Sequence, residues 1–297
     1  MAEATQFFTA LLLSLLRYVS ILLICYLITA FSFPYLLRLM QESNLLKPNF
    51  REELIPAEAG MVFVVLLPLT IGIGMFLKVR SFTTINAILF LFVVIGMGFL
   101  GLLDDLIGTH EHKGFRGHFR ALLKEKRLTT GGFKAFFGAV IAMVFSMATA
   151  SLLQAHWNLW LILINFVLVV LSANTINLFD LRPGRAGKVF LVGFVLILAF
   201  SKDFENYVGL FMPLLAIVLY YLPFDLKARV MMGDVGSNLL GAALGVMMAW
   251  MLTDLGKIVA AGLLIIIQLL AEKYSFTKII ENNRWLRKFD QWGRGEL

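Results

Sequence analysis

The sequence predicts an all-α, polytopic integral membrane protein with about nine transmembrane helices. Three observations lead there. Hydrophobic residues make up 60% of the 297 and charged residues only 15%, with a mean hydropathy of +0.85, whereas an ordinary soluble domain carries about 25% charged residues. Apolar runs approaching the length that crosses a bilayer recur along the whole chain, as in helical membrane proteins, where every backbone group is satisfied within its own segment. Lysines and arginines collect in alternate connections.

The apolar segments are expected at about 17–37 (with a lead-in from Phe7), 61–77, 84–103, 135–153, 157–175, 189–200, 208–223, 239–251 and 258–270. Polar connections fall at about 38–58, 104–134, 177–188 and 224–236, with a tail at 272–297. These five stretches hold 3, 7, 3, 2 and 6 basic residues, 21 of the 26 in the chain. The positive-inside rule places them in the cytoplasm, with the N-terminus outside and the C-terminus inside. The chain reads as one transmembrane domain over 1–297, with no soluble domain or low-complexity linker. Met1–Leu16 has no basic residue ahead of its apolar part, so it is not expected to be a cleavable signal peptide. Cys25 is the single cysteine, which rules out an internal disulfide or a cysteine-based metal site. The net charge of +7 is read as basic loops beside anionic lipid, not as a nucleic-acid footprint. Glycines such as Gly60, Gly72, Gly74, Gly96, Gly98 and Gly101 are expected at close helix contacts.

Four stretches on the basic side carry the candidate chemistry. In Leu54-Ile55-Pro56-Ala57-Glu58-Ala59-Gly60, Pro56 is expected to start a helix. The third segment ends in the adjacent carboxylates Asp104 and Asp105, followed by glycines and by Lys113 and Arg116. Carboxylates that hold Mg²⁺ or accept a proton, beside cations that meet phosphate oxygens, suit a phosphate-bearing ligand; a solvated loop is the plainer alternative. Asn174, Asn177 and Asp180 recur every three residues and are expected on one helix face, with Arg182, Arg185 and Lys188 as a basic rim; helix capping and interhelical hydrogen bonds are the alternative. Gly233-Asp234-Val235-Gly236-Ser237 reads as a turn opening a helix, with backbone N–H groups beside a carboxylate, which suits a metal-bridged phosphate or a plain N-cap. His110 and His112 read as surface histidines.

Taken in this order and on one membrane face, the four stretches resemble the polyprenyl-phosphate N-acetylhexosamine-1-phosphate transferase family, from roughly Pro56 to Gly245. The resemblance implies transfer of a sugar-1-phosphate from a UDP-sugar to a polyprenyl phosphate, with Mg²⁺, giving UMP and a lipid-linked diphosphate sugar for envelope polysaccharide. It implies catalytic roles for Asp104, Asp105 and Asp180, with Asp104 handling the acceptor phosphate. Asn177 and Asp234 would hold the metal. Lys113, Arg116, Asn174, Arg182 and Arg185 would bind substrate. The implied partners are the lipid phosphate, the UDP-sugar, the membrane and a second copy of the chain, but no nucleic acid. The implied location is the bacterial cytoplasmic membrane, with the site facing the cytoplasm. Two departures stand out. Leu181-Arg182-Pro183-Gly184-Arg185 replaces the family's Gly-Leu-Asp-Gly, and the tail lacks the family's histidine cluster, which argues against a muramoyl-pentapeptide donor. A non-catalytic relative that binds lipid-linked precursors is the alternative function.

Overall fold

The structure, a computed structural model, describes residues 2–76, 83–108, 129–154 and 158–294. Among these, the long helices are α1 (Ala2–Glu42), α2 (Met61–Phe76), α3 (Thr84–Ile107), α4 (Thr130–Gln154), α5 (Leu159–Phe179), α6 (Arg185–Ala199), α7 (Phe204–Leu226), α8 (Gly233–Met251) and α9 (Asp254–Lys273). The short helices α10 (Phe276–Asn282) and α11 (Arg284–Gln291) follow. The protein is an all-helical, multi-pass membrane protein. Six described helices are long and apolar enough to cross a bilayer: α1, α3, α4, α5, α7 and α9. Helices α2 and α6, of 16 and 15 residues, are shorter.

Over its described residues each expected segment falls on one of these helices, and all but α2 run further at one end or the other. The structure carries α3 through both aspartates to Ile107, α5 through Asn177 to Phe179 and α7 through Asp225 to Leu226. Helices α4, α6 and α8 begin earlier than hydropathy suggests, at Thr130, Arg185 and Gly233. Charge at a helix end meets water or a ligand without breaking the hydrogen-bond ladder, so hydropathy locates the apolar span and not the helix terminus.

The polar connection expected at 38–58 contains a small hairpin, an addition to the all-α expectation. Strands β1 (Leu46–Pro48) and β2 (Leu54–Pro56) pair antiparallel, Lys47 opposite Ile55. Asn49 makes the turn: its side-chain oxygen accepts the N–H groups of Arg51 at 2.8 Å and Glu53 at 3.1 Å. Pro56 therefore closes a strand and does not open a helix; α2 begins at Met61.

Helix α8 is the centre of the fold. Every residue from Val235 to Met251 is buried in protein, and its main neighbours are α5 and α3. Small residues allow this: a Cβ on Gly241 would lie 2.3 Å from the Ser172 carbonyl oxygen of α5. Gly72 departs from the packing expectation, with nothing within 4 Å of its Cβ position. Around α8, α7 packs on α1 and α2 through Phe33, Phe63, Tyr220, Tyr221 and Phe224. The outward faces of α1 and α9 expose Phe31, Tyr35, Leu263 and Leu269, as suits helices whose outer solvent is lipid.

Candidate active site

The site forms where the ends of α3, α4 and α5 meet the start of α8. Gly101 makes that contact: a Cβ there would lie 2.2 Å from the Asp234 carbonyl oxygen, so only glycine lets α3 approach α8 this closely. One helical turn beyond, the two adjacent aspartates diverge. The Asp105 carboxylate accepts the Asp234 N–H at 2.7 Å and the Val235 N–H at 3.4 Å. It therefore caps the N-terminus of α8 from another helix, an anion at the positive end of the dipole. Gly233 turns the chain into α8 at φ +70°, where a Cβ would lie 2.8 Å from the Asp105 carboxylate and 3.0 Å from the Glu58 Cα. The buried Glu58 pairs with Lys47 of the hairpin. The hairpin is fixed in turn by Ala59 N–H to the Met231 carbonyl and Met231 N–H to the Pro56 carbonyl, at 2.8 and 2.9 Å.

Asp104 faces the other way, towards a residue the sequence reading passed over. Lys134, in the first turns of α4, ion-pairs with Asp234 and lies 3.6 Å from the Asp104 carboxylate. The Asn177 amide donates to Asp234 at 3.3 Å, and the Ser237 hydroxyl donates to the Asn177 oxygen at 3.4 Å. One ammonium thus bridges two carboxylates contributed by helices far apart in sequence. The only sequence signal for it is a lone cation ahead of the apolar run Ala135-Phe136-Phe137.

Beside this cluster opens a cleft of about 270 Å³ lined by Asp180, Arg182, Asp225, Met232 and Asp234. Asp180 caps the end of α5 and keeps a partial opening onto the cleft. Burial of its carboxyl first, then the charges of Asp225, Asp234 and Asp105, push it well above the usual carboxylate range. Asp225, also missed from sequence, is 3% exposed, and one of its carboxylate oxygens has no hydrogen-bond partner among the described residues. In sequence it is a single acid closing an apolar segment.

Other expected site residues lie elsewhere. Asn174 does not share the Asn177 face: its amide donates to Gln268 of α9 at 2.6 Å, the interhelical bond that was the plainer alternative. Arg185 and Lys188 do not form a rim. Both are buried in α6 and anchor the tail. Arg185 binds Asp290 through two bonds of 2.8 and 2.9 Å and Thr277 at 3.1 Å, while Lys188 donates to carbonyls at the end of α11. Arg294 also holds Asp290, at 2.9 Å, and donates to the Pro183 carbonyl at 2.7 Å. Burial alone would raise Asp290, but these two guanidiniums hold it below the usual carboxylate range. Only Arg182 of the expected rim lines the cleft. Lys113, Arg116, His110 and His112 lie outside the described residues.

Asp104 and Asp234 offer carboxylate oxygens of the kind a hard divalent cation takes, with an ammonium now in the space between them, while Asn177 presents its amide nitrogen to Asp234 and its oxygen to the Ser237 hydroxyl. Among the described residues, no three carboxylates, histidines or cysteines converge as a ready-made metal site.

The chain belongs to glycosyl transferase family 4, whose sequence model matches residues 87–252. That match takes in Asp104, Asp105, Asn177, Asp180 and Asp234 but begins after the Pro56–Gly60 stretch. The chain is similar to phospho-N-acetylmuramoyl-pentapeptide-transferase of Thermotoga neapolitana, at 28% identity over 71% of this chain and 65% of the relative. It is 29% identical to the Fervidobacterium nodosum protein of that name, over 65% and 58%. For the one from Streptococcus equi subsp. zooepidemicus the identity is 26%, over 75% and 69%. The chain thus spans less than two thirds of the length of the first two.

Proposed function

We propose that the protein transfers a sugar-1-phosphate from a UDP-sugar to a polyprenyl phosphate, at the cytoplasmic face of a bacterial membrane. The observation that carries this reading is Lys134 bridging Asp104 and Asp234 at the ends of apolar helices, beside a cleft open to a soluble ligand. Transfer between two anions needs charge neutralisation and in-line positioning more than covalent chemistry. The bond that forms joins an oxygen of the lipid phosphate to the phosphorus bearing the sugar. The bond that breaks is the diphosphate linkage to UMP, which leaves with the electron pair.

Each residue then has a task. Asp104, partly exposed and not committed to a backbone, positions the acceptor phosphate and takes its proton where one remains. Asp105 fixes the α8 turn. Asp234 and Asn177, with Asp104, would hold Mg²⁺, which supplies charge neutralisation of the diphosphate when bound. Lys134 balances the two carboxylates and lies within reach of a phosphate oxygen placed between them. Asp180 and Arg182 face the donor. The basic connections support the cytoplasmic orientation, with the N-terminus outside.

A non-catalytic binder of lipid phosphates is the second reading. The specific observation in its favour is that the Lys134 ammonium already pairs with both carboxylates and offsets one of their two charges. The two readings separate when purified protein is given undecaprenyl phosphate, Mg²⁺ and a panel of UDP-sugars. UMP release with any donor supports transfer. Lipid-phosphate binding with no UMP, beside an active control enzyme, selects the binder.

A further inference from the structure

The tail ends in a short helix whose sides are unlike. In α11 and its cap, Trp285, Phe289 and Trp292 recur at i, i+4 and i+7 and share one side. Trp285 is 79% exposed and Trp292 73%, with Leu286 and Phe289 also open. Arg284 and Lys288 run beside this stripe, both exposed, and neither makes a side-chain ion pair among the described residues. The remaining side is docked: Asp290 is buried against Arg185 and Arg294. The depth of the helix follows from α6. Its 15 residues span about 22 Å, less than the roughly 30 Å hydrocarbon layer that α5 and α7 beside it are long enough to cross. The first turn of α6 therefore lies at the edge of that layer. Lys188 in that turn donates to the Phe289 and Trp292 carbonyls at 3.0 and 2.9 Å, and its ammonium stands 5.7 Å from the centre of the Phe289 ring. The C-terminal half of α11 is thus held level with the boundary between acyl chains and headgroups.

We propose that α11 docks in the anionic headgroup layer of the leaflet at the Asp104–Asp234 end, with Trp285 and Trp292 in the boundary region and Arg284 and Lys288 on lipid phosphates. Indole rings favour that boundary, being apolar bodies with one N–H to satisfy. Cations beside them gain from an anionic leaflet while keeping their water at its surface. A soluble protein partner would need the stripe to stand clear of the bilayer, and the bonds from Lys188 keep it level with α6. The docking has a consequence for the acidic cleft. Asp290 of the same helix holds Arg294, which donates to the Pro183 carbonyl at the rim of that cleft. Lipid that seats α11 thereby steadies the turn after α5. This holds whichever reaction the cleft performs.

The test places the full chain in discs of phosphatidylcholine, with or without phosphatidylglycerol, and follows hydrogen exchange across α11. Exchange should slow at least about fivefold when phosphatidylglycerol is present. The variant Arg284→Gln/Lys288→Gln should lose that difference and melt within a few degrees of wild type, since both side chains are exposed. Equal exchange in the two lipids overturns the proposal, as does a difference that survives in the double variant. A second measurement reads depth directly. The emission of Trp285 and Trp292, taken as wild type minus Trp285→Phe/Trp292→Phe, should be quenched by lipids brominated near the headgroup. Emission that these lipids leave unquenched would mean that the stripe faces water or a soluble partner, and overturns the lipid assignment.

Discussion

Substitution of Asp105 separates a structural aspartate from a reacting one. Its carboxylate receives two backbone N–H groups of α8, at 2.7 and 3.4 Å. Replacing an N-cap acceptor by alanine costs about 0.5–2 kcal/mol, and a charged acceptor at a helix N-terminus adds roughly 0.3–1 kcal/mol. The like charges of Asp234 and Glu58 nearby return part of that. Asp105→Ala should therefore destabilise the protein by about 2 kcal/mol, a fall in Tm of roughly 4–8 °C at about 2–4 °C per kcal/mol. Asp105→Asn keeps an acceptor oxygen and sheds the repulsion, so it should cost under about 1 kcal/mol. The assay is thermal unfolding in detergent, with transfer measured on the same preparations. Asp105→Asn should keep most activity, whereas Asp104→Asn should lose it without losing stability. An Asp105→Asn variant that melts like wild type yet is as inactive as Asp104→Asn would refute the capping role as the main one.

Lys134→Met leaves Asp104 and Asp234 facing each other without a cation. It should lower Tm in the absence of divalent ions by the equivalent of about 1–3 kcal/mol, because these side chains are mostly but not fully buried. Millimolar Mg²⁺ should restore more of that loss than it adds to wild type, by scanning fluorimetry. Gly101→Ala places a methyl 2.2 Å from the Asp234 carbonyl oxygen; it should cost about 1–3 kcal/mol and reduce transfer far more than the same change at the open position Gly72, as UMP release would report. The tail anchor should be acid-labile. Asp290 is held below its unfolded value, so its contribution is complete above about pH 4 and disappears as the pH falls through the lower folded value. Pepsin cleavage of the tail should rise in that window, and Arg185→Gln should give the same susceptibility at higher pH.

The helical, membrane-spanning class was legible because lipid demands long apolar helices, and composition records that demand directly. The acids at helix ends were visible as charges closing apolar runs. What sequence did not disclose is three-dimensional pairing. Asp104 and Asp105 look alike as neighbours, yet about 100° of helical rotation sends one to Lys134 and the other to the α8 backbone. Lys134 lies 100 residues from Asp234, and no local pattern announces such a pair. Asn174 shares a three-residue spacing with Asn177, but α5 is wedged between α8 and α9, so the two amides serve different neighbours. The hairpin at 46–56 was hidden because three-residue strands show no alternation. Arg185 and Lys188 read as a rim because the acid that buries Arg185 lies 105 residues on, in the tail.

Mass-spectrometric detection of the product tests the central claim most directly. Full-length protein is incubated with undecaprenyl phosphate, Mg²⁺ and mixed UDP-sugars, and the lipid fraction is searched for a new diphosphate-linked sugar. Wild type should form one, and Asp104→Asn and Asp234→Asn should form it at least about a hundredfold more slowly while melting close to wild type. A wild-type protein that yields no lipid-linked product from any donor, or an Asp234→Asn variant that yields it at the wild-type rate, would contradict the assignment of this cluster as the transfer site.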